Sequence, residues 1–145
     1  KRQHFYLLLI FVRITLKLNI MGLLSGLLGN ASVMDNKQVE KEFEKIFVKG
    51  EKVEAGFKII RDLFIFTNKR LVLIDKQGLT GRKIEYLSIA YKSIAKFSVE
   101  TAGTFDLDAE LKIWVSSEKI PSVSKKFNKS VDVYEVQKIL ASFVL

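Results

Sequence analysis

The chain has 145 residues, of which 48% are apolar and 28% are charged, and it contains one proline and no cysteine. This composition is typical of a single globular domain with one hydrophobic core. The absence of cysteine excludes thiol nucleophiles, disulfide frameworks and thiolate zinc sites, and the one histidine, His4, stands near the N-terminus. Composition therefore favours a binding or assembly module over an enzyme, and we expect no catalytic residues and no cofactor.

Residues 1–20 carry half of the formal net charge of +8, because their charged residues are all basic. These are Lys1, Arg2, Arg13 and Lys17. The apolar run at 5–12 is shorter than the roughly 20 residues of a membrane span, and no small-residue cleavage site follows it. We interpret residues 1–20 as an extension upstream of a start at Met21, which implies a cytoplasmic protein. A signal or membrane anchor is the alternative, and translation of these residues would allow membrane association.

Residues 21–50 are predicted to form N-terminal helices. Four leucines recur there at helical spacing: Leu23, Leu24, Leu27 and Leu28. The glycines around them weaken an isolated helix by about 1 kcal/mol each, so this segment needs a partner surface. Asp35 or Asn36 is expected to cap a second helix, which buries an apolar face that includes Val39 and Phe43 and ends near Gly50.

After residue 50 the apolar residues change from helical spacing to alternation, which predicts strands. Seven strands are expected, at residues 53–60, 63–67, 71–75, 84–89, 94–101, 109–115 and 123–127. Asn68 and Lys69 are expected to form a hairpin turn, since asparagine tolerates a positive φ. Ser130 is expected to start a closing helix. Residues 51–145 are thus predicted to form an α+β, mostly β domain: a seven-stranded antiparallel barrel or sandwich with a C-terminal capping helix.

Four segments of the chain resemble the bacterial pleckstrin-homology (PH) family, which was formerly filed as a domain of unknown function. They are residues 21–32 (MGLLSGLLGNAS), 61–71 (RDLFIFTNKRL), 99–114 (VETAGTFDLDAELKIW) and 132–138 (DVYEVQK). The resemblance extends from Met21 to the C-terminus and implies a PH-like fold, assembly of copies into rings, and no established ligand or activity. Eukaryotic PH domains read phosphoinositides with a lysine followed by a basic-x-Arg step. Here Lys58 and Arg61 lack that step, so headgroup recognition is not carried over.

Three acidic residues alternate along the chain at the sixth predicted strand: Asp106, Asp108 and Glu110. On an extended strand their carboxylates point to one side, where oxygen ligands suit a hard cation such as Ca²⁺. Lys112 continues the same face, and the turn-rich loop of known calcium motifs is missing. We therefore favour a solvated strand face without a metal, and these three residues are the metal candidates.

Five basic residues flank the predicted hairpins: Lys69, Arg70, Lys76, Arg82 and Lys83. The last three lie on a glycine-containing loop, whose backbone N–H groups and flexible basic side chains suit an anion such as phosphate. Together the five predict a basic rim for an anionic membrane surface, and the alternative is that these loops are merely solvated. No aromatic residues interleave with these charges, so we expect no nucleic-acid partner.

Trp114 falls on the face of its predicted strand opposite the apolar set. Tyr134, with Val131 and Ile139, widens the apolar arc of the closing helix beyond what one core needs. Tryptophan is enriched at protein interfaces, so Trp114, Tyr134 and the four N-terminal leucines are the self-association candidates. Cover of Trp114 by the chain's own N-terminal helices is the alternative. We therefore predict a non-catalytic PH-like module that forms a homo-oligomer, with peripheral binding to anionic lipid through basic loops as the alternative function.

Overall fold

The computed structural model describes residues 6–8, 10–12, 14–15, 33–59, 61–78, 80, 82–101, 109–127, 129 and 131–145. Within the part from residue 33 onward, seven strands, two α-helices and two short 3-10 helices follow one another. They are α1 (Asn36–Glu42), a 3-10 helix (Glu44–Ile46), β1 (Val53–Ile59), β2 (Asp62–Thr67), β3 (Arg70–Gln77), β4 (Lys83–Ala90), a 3-10 helix (Tyr91–Ser93), β5 (Ile94–Thr101), β6 (Ala109–Val115), β7 (Val123–Phe127) and α2 (Val133–Val144). The predicted mostly β fold with a C-terminal helix is confirmed.

The strands form two antiparallel sheets in which each strand pairs with its neighbours in the chain. The first sheet has the order β1-β2-β3-β4, and the second has the order β5-β6-β7. The limits of β5, β6 and β7 are those predicted from alternation, whereas β3 and β4 extend slightly beyond their predicted ends. Among the described strands, the two sheets are separate and do not close into a barrel.

The main hydrophobic core lies between the two sheets and α2. It includes the fully buried side chains of Phe57, Phe64, Phe66, Leu111, Ile113, Phe127, Val136 and Leu140. A second cluster joins Val39 and Phe43 of the α1 region to Ile65 and Val72 of the first sheet. Because β2 and β3 are buried on both faces, their sequences are continuous apolar runs rather than alternating ones.

α1 begins at a predicted cap but ends earlier than predicted. The Asp35 carboxylate accepts a hydrogen bond from the Gln38 backbone N–H at 2.9 Å. The α-helix stops at Glu42 rather than near Gly50, so the predicted end was wrong. The chain continues as the 3-10 helix Glu44–Ile46, and beyond it the Ile46 carbonyl and the Val48 N–H bond to a buried ion pair, described below.

α2 is capped by Asp132, so the prediction that Ser130 starts this helix was wrong. The Asp132 carboxylate accepts hydrogen bonds from the backbone N–H groups of Tyr134 and Glu135, at 3.0 and 3.3 Å. A short acidic side chain at this position satisfies N–H groups that have no partner within the helix.

Two residues predicted to widen the exposed arc of the closing helix belong to the core instead. Val131 is 7% exposed, Ile139 is fully buried, and both lie in the main core cluster. Tyr134 alone of the three is exposed, at 58%. The apolar arc of α2 is wide because the helix fills the space between two sheets, so its width is no sign of an interface.

Asn68 lies in the β2–β3 turn, but its role differs from the prediction. In the described ranges the non-glycine residue with a positive φ is Ser116, at 51°. Asn68 acts through its side chain: Oδ1 accepts from the Lys52 backbone N–H at 2.9 Å, and Nδ2 donates to the Gly50 carbonyl at 3.0 Å. Asn68 thereby fastens the turn to the chain that enters β1.

A buried ion pair joins the turn after α1 to the β2–β3 hairpin. The fully buried Glu51 carboxylate accepts hydrogen bonds from Nε and Nη2 of Arg70, at 2.9 and 3.1 Å. It also accepts from the Thr67 hydroxyl at 2.8 Å and the Val48 N–H at 3.0 Å. Burial by itself raises the pKa of Glu51, but these hydrogen bonds outweigh burial, and the pKa lies below its ordinary value.

Arg70 and Tyr91 extend this pair to neighbouring elements. The Arg70 guanidinium donates to the Ile46 carbonyl at 2.5 Å and to the Ser88 hydroxyl on β4 at 2.7 Å. The Tyr91 hydroxyl donates to the Thr67 carbonyl at 2.7 Å, and burial raises its pKa above the ordinary value. One polar cluster thus connects the α1 region, the β2–β3 hairpin and the link between the sheets.

The described residues before position 33 are helical and exposed, at 6–8, 10–12 and 14–15. Neither hydrophobic cluster contains any of them. Across the described ranges, we find no helix with the length and apolar character needed to cross a membrane.

Deleting residues 1–20 is expected to leave the thermal unfolding midpoint unchanged to within about 2 °C, because the described core uses no side chain before Val33. Circular dichroism melting curves of residues 1–145 and 21–145 provide the comparison. Loss of a cooperative transition in the shortened chain would make the N-terminal segment part of the fold.

Replacing Glu51 with Gln is expected to lower the free energy of unfolding by about 2 kcal/mol at neutral pH, because Arg70 loses its charged acceptor. The folded-state pKa of Glu51 is lowered, so its contribution is present above the ordinary value of 4.5 and is lost as the pH falls through the folded-state pKa. Urea unfolding of both proteins across this pH range measures the difference.

The matched control is Glu42→Gln, because Glu42 is exposed at the end of α1. This substitution is expected to change the free energy of unfolding by no more than about 0.5 kcal/mol. If the difference in free energy of unfolding between the wild type and Glu51→Gln stays constant from neutral pH to about pH 2, ionisation of Glu51 is not what stabilises the fold.

Candidate functional site

The five basic candidates fall into two separate groups. Lys69 and Arg70 stand at the start of β3, whereas Lys76 is near its end and Arg82 and Lys83 lie at the start of β4. Along the strand, Arg70 and Lys76 are about 20 Å apart. Arg70 is also engaged in the buried ion pair, so it is held within the fold rather than offered to an external anion.

A cleft between the two sheets brings other basic residues together with Lys76. Its volume is about 310 Å³, and it is lined by Ile59, Arg61, Asp62, Asp75, Lys76, Ser124, Lys125 and Lys126. Arg61 comes from the β1–β2 turn, Lys76 from β3 and Lys126 from β7. Four of the lining residues are cationic and two are anionic, so the lining carries a formal charge of +2.

Lys125 bridges the two sheets at the floor of this cleft. Its Nζ lies 2.6 Å from the Asp62 carboxylate and 3.4 Å from the Asp75 carboxylate. Burial lowers the pKa of Lys125, but the two carboxylates raise it by more, and the net shift is upward. Two acids thus neutralise Lys125, while Arg61, Lys76 and Lys126 provide the positive charge of the cleft.

The cleft continues towards β4 as a second cavity of about 240 Å³. The two cavities share Asp75, Ser124 and Lys125. The other lining residues of the second cavity are Leu73, Glu85, Leu87, Ser122 and Val123. Its charged lining residues are two anions and one cation, so positive charge is concentrated at the end formed by the β1–β2 turn.

Sequence reasoning did not identify Arg61, Lys125 or Lys126 as site residues. For Lys125 a signal existed: it lies between Val123 and Phe127 at two-residue spacing, and both neighbours are buried. Alternation therefore places a lysine on the inner side of β7, which calls for an acidic partner. Arg61 and Lys126 carry no such signal, because their approach to Lys76 depends on how the sheets pack.

β4 is an outer strand that carries exposed apolar side chains. In the described part of the chain it pairs with β3 alone. Ile84, Tyr86 and Leu87 are 39%, 45% and 38% exposed. Ile84 and Tyr86 are two residues apart and share one face of the strand. An outer strand with free backbone groups and apolar side chains is a template for pairing with another strand.

Trp114 lies on the face of β6 opposite the buried side chains of Leu111 and Ile113, as alternation predicts. It is half-buried, and Lys96 Nζ lies 4.7 Å from the centroid of its ring, in cation–π contact. Its indole N–H is buried and has no acceptor among the described residues. The other interface candidates are Tyr134, which is exposed, and Leu23, Leu24, Leu27 and Leu28, which lie outside the described residues.

Two of the three metal candidates, Asp106 and Asp108, lie outside the described residues. The third, Glu110, accepts a hydrogen bond from the Ser124 hydroxyl and lies 3.0 Å from Lys112 Nζ. These two contacts lower the pKa of Glu110. Among the described residues, no three His, Cys, Asp or Glu side chains are grouped as they would be to hold a metal ion.

Residues 22–144 match the family model of the bacterial PH domain. Two similar proteins come from Bacillus subtilis strain 168. The uncharacterized protein YjqA is 58% identical over 122 residues, which cover 84% of this chain and 98% of YjqA. The uncharacterized protein YozO is 33% identical over 100 residues, which cover 69% of this chain and 84% of YozO.

Two crystal structures have the same fold. One is of a DUF1696 family protein with a pleckstrin-homology domain from Shewanella loihica, with a TM-score of 0.71, 49% identity, and coverage of 81% of this chain and 99% of that one. The other is of a pleckstrin homology domain from Shewanella amazonensis, with a TM-score of 0.73, 48% identity, and coverage of 84% and 98%.

Proposed function

The chain belongs to the bacterial PH domain family, and on this premise we propose that it is a non-catalytic module that binds copies of itself. The fold supports a binding module, since domains of this family are typically non-catalytic. The family resemblance favours a closed ring as the form of the homo-oligomer. The partner proposed here is therefore a second copy of this chain.

The exposed edge of β4 carries this proposal. Among the described residues, β4 pairs with β3 alone and exposes three apolar side chains, whereas soluble proteins usually cover or charge such an edge. The other outer strand of the first sheet, β1, is partly covered, because the Met34 N–H donates to the Gly56 carbonyl at 2.9 Å. An apolar surface of a second copy would cover these side chains, which are exposed in the described part of the monomer.

Contact between β4 of one copy and a different surface of the next copy repeats around an axis until a ring closes. Trp114 and Tyr134 lie away from β4 and provide apolar surface for that second side. The buried indole N–H of Trp114 has no acceptor among the described residues, and an unpaired buried donor costs about 1–3 kcal/mol. Because this N–H is already covered within the chain, the part of Trp114 that a second copy can contact is the exposed part of its ring.

Replacing Ile84 and Tyr86 together with Lys is expected to convert the oligomer to a smaller species, because two charges on one strand face prevent pairing. An apolar anchor of this kind commonly contributes about 2 kcal/mol, which is a factor of about 30 in each contact. Size exclusion with light scattering measures the mass, and a melting curve measures stability.

Trp114→Ala is expected to weaken assembly more than it lowers stability.

Ile120→Lys is the matched control, since Ile120 is 75% exposed in the β6–β7 connection. It should leave the mass unchanged. A monomeric wild-type chain, or an unaltered particle in both the β4 variant and Trp114→Ala, would refute self-association through these surfaces.

A second candidate function is peripheral binding to anionic membrane lipid. The specific observation in its favour is that Arg61, Lys76 and Lys126 line one cleft with a formal charge of +2. Arg82 and Lys83, both exposed, lie close in the chain to the same end of β3. Each basic residue near an anionic surface contributes roughly 1 kcal/mol to binding.

Replacing Lys76, Arg82 and Lys83 with Gln is expected to reduce binding to vesicles containing phosphatidylglycerol at low salt about a hundredfold, without changing the oligomeric mass. Vesicle flotation measures binding. The matched control removes three exposed lysines of the α1 region, Lys37, Lys41 and Lys45. Equal losses in the two triple variants would mean that total charge, rather than this surface, determines binding.

A further inference from the structure

The helical residues near the N-terminus expose apolar side chains on most of their circumference. Seven of them are between 52% and 69% exposed: Tyr6, Leu7, Leu8, Ile10, Phe11, Val12 and Ile14. The segment is helical at 6–8, 10–12 and 14–15, and the Thr15 hydroxyl donates to the Phe11 carbonyl at 2.8 Å. Between positions 5 and 15 the sequence contains one charged residue, Arg13.

The width of the apolar arc around the helix distinguishes a protein surface from a lipid bilayer as the partner. At about 100° per residue they cover about 240° of the helix circumference. A helix that packs on one protein surface presents a stripe of roughly 100°, whereas an apolar arc of about 240° requires apolar surroundings on several sides. Hydrocarbon chains of a lipid bilayer surround a helix in this way.

Charge and length identify the kind of bilayer and the depth of insertion. All four charged residues of positions 1–20 are basic, which complements anionic phospholipid. Ten helical residues are about 15 Å long, half of the roughly 30 Å hydrocarbon core. Its length therefore fits insertion into one leaflet.

We propose that residues 6–15 form an anchor that inserts into one leaflet of an anionic phospholipid bilayer and holds the PH-like domain at the membrane surface. This anchor lies outside residues 22–144, which match the family model, so the family match does not imply it. It is also separate from the basic cleft, because its binding depends on apolar side chains rather than on lysine and arginine.

The test compares the full chain with Leu8→Gln/Phe11→Gln, which removes two exposed apolar side chains without changing the charge. The probe is a vesicle of phosphatidylcholine with about one third phosphatidylglycerol, separated by flotation. The double substitution is expected to weaken binding at least tenfold, which is about 1.4 kcal/mol. Ile120→Gln removes an exposed apolar side chain elsewhere and should leave binding unchanged.

Salt and lipid composition complete the test. Binding of the full chain is expected to persist at about 0.5 M salt, where the charge contribution is screened within a few ångströms, and to weaken at least tenfold on pure phosphatidylcholine. Absence of binding to anionic vesicles, equal binding by the double variant, or complete loss at high salt would overturn the proposal.

Light scattering without lipid separates this proposal from self-association through β4. The full chain and the double variant are expected to have the same mass. A smaller mass for the double variant would mean that a second copy covers the helix, which would overturn the anchor. A native protein whose intact mass shows that it begins at Met21 would also overturn it.

Discussion

The pairing of Glu51 with Arg70 determines how the first sheet and its outer cover fit together. A fully buried carboxylate is expensive unless it is paired and hydrogen-bonded, and here four donor groups converge on it. Arg70 in turn holds the Ile46 carbonyl and the Ser88 hydroxyl on β4. β4 is positioned by its pairing with β3, and Arg70 links it in addition to a contact between residues that are 19 positions apart.

Burial on both faces decides which apolar surface the domain retains. β2 and β3 are enclosed between α1 and the second sheet, so their apolar side chains are buried in the two hydrophobic clusters. β4 stands at the margin of both cores and keeps Ile84 and Tyr86 exposed. The second sheet is covered by α2 on one face, and its other face carries Lys96, Lys112 and Trp114. Apolar contact area therefore remains at an outer strand and an outer face.

The strand limits agreed best with the prediction where one face of the strand meets water. Such strands alternate, which is why the limits of β5, β6 and β7 agreed with the prediction. The role of Arg70 could not be predicted, because an arginine after a turn has the same local sequence whether it is free or paired with a distant glutamate. The cleft could not be predicted either, because Arg61 and Lys126 lie beside Lys76 only as a result of how the two sheets pack.

The bridge from Lys125 to Asp62 and Asp75 has a consequence for how the cleft responds to its surroundings. The two carboxylates raise the pKa of this lysine despite its burial, so it keeps its charge throughout the neutral range. The lining contains no histidine, the side chain whose charge changes near neutral pH. Mild acidification therefore leaves the polarity of the cleft unaltered, whereas dissolved ions screen it over about 8 Å at physiological strength. The electrostatic field of the cleft therefore depends more on ionic strength than on pH in the neutral range.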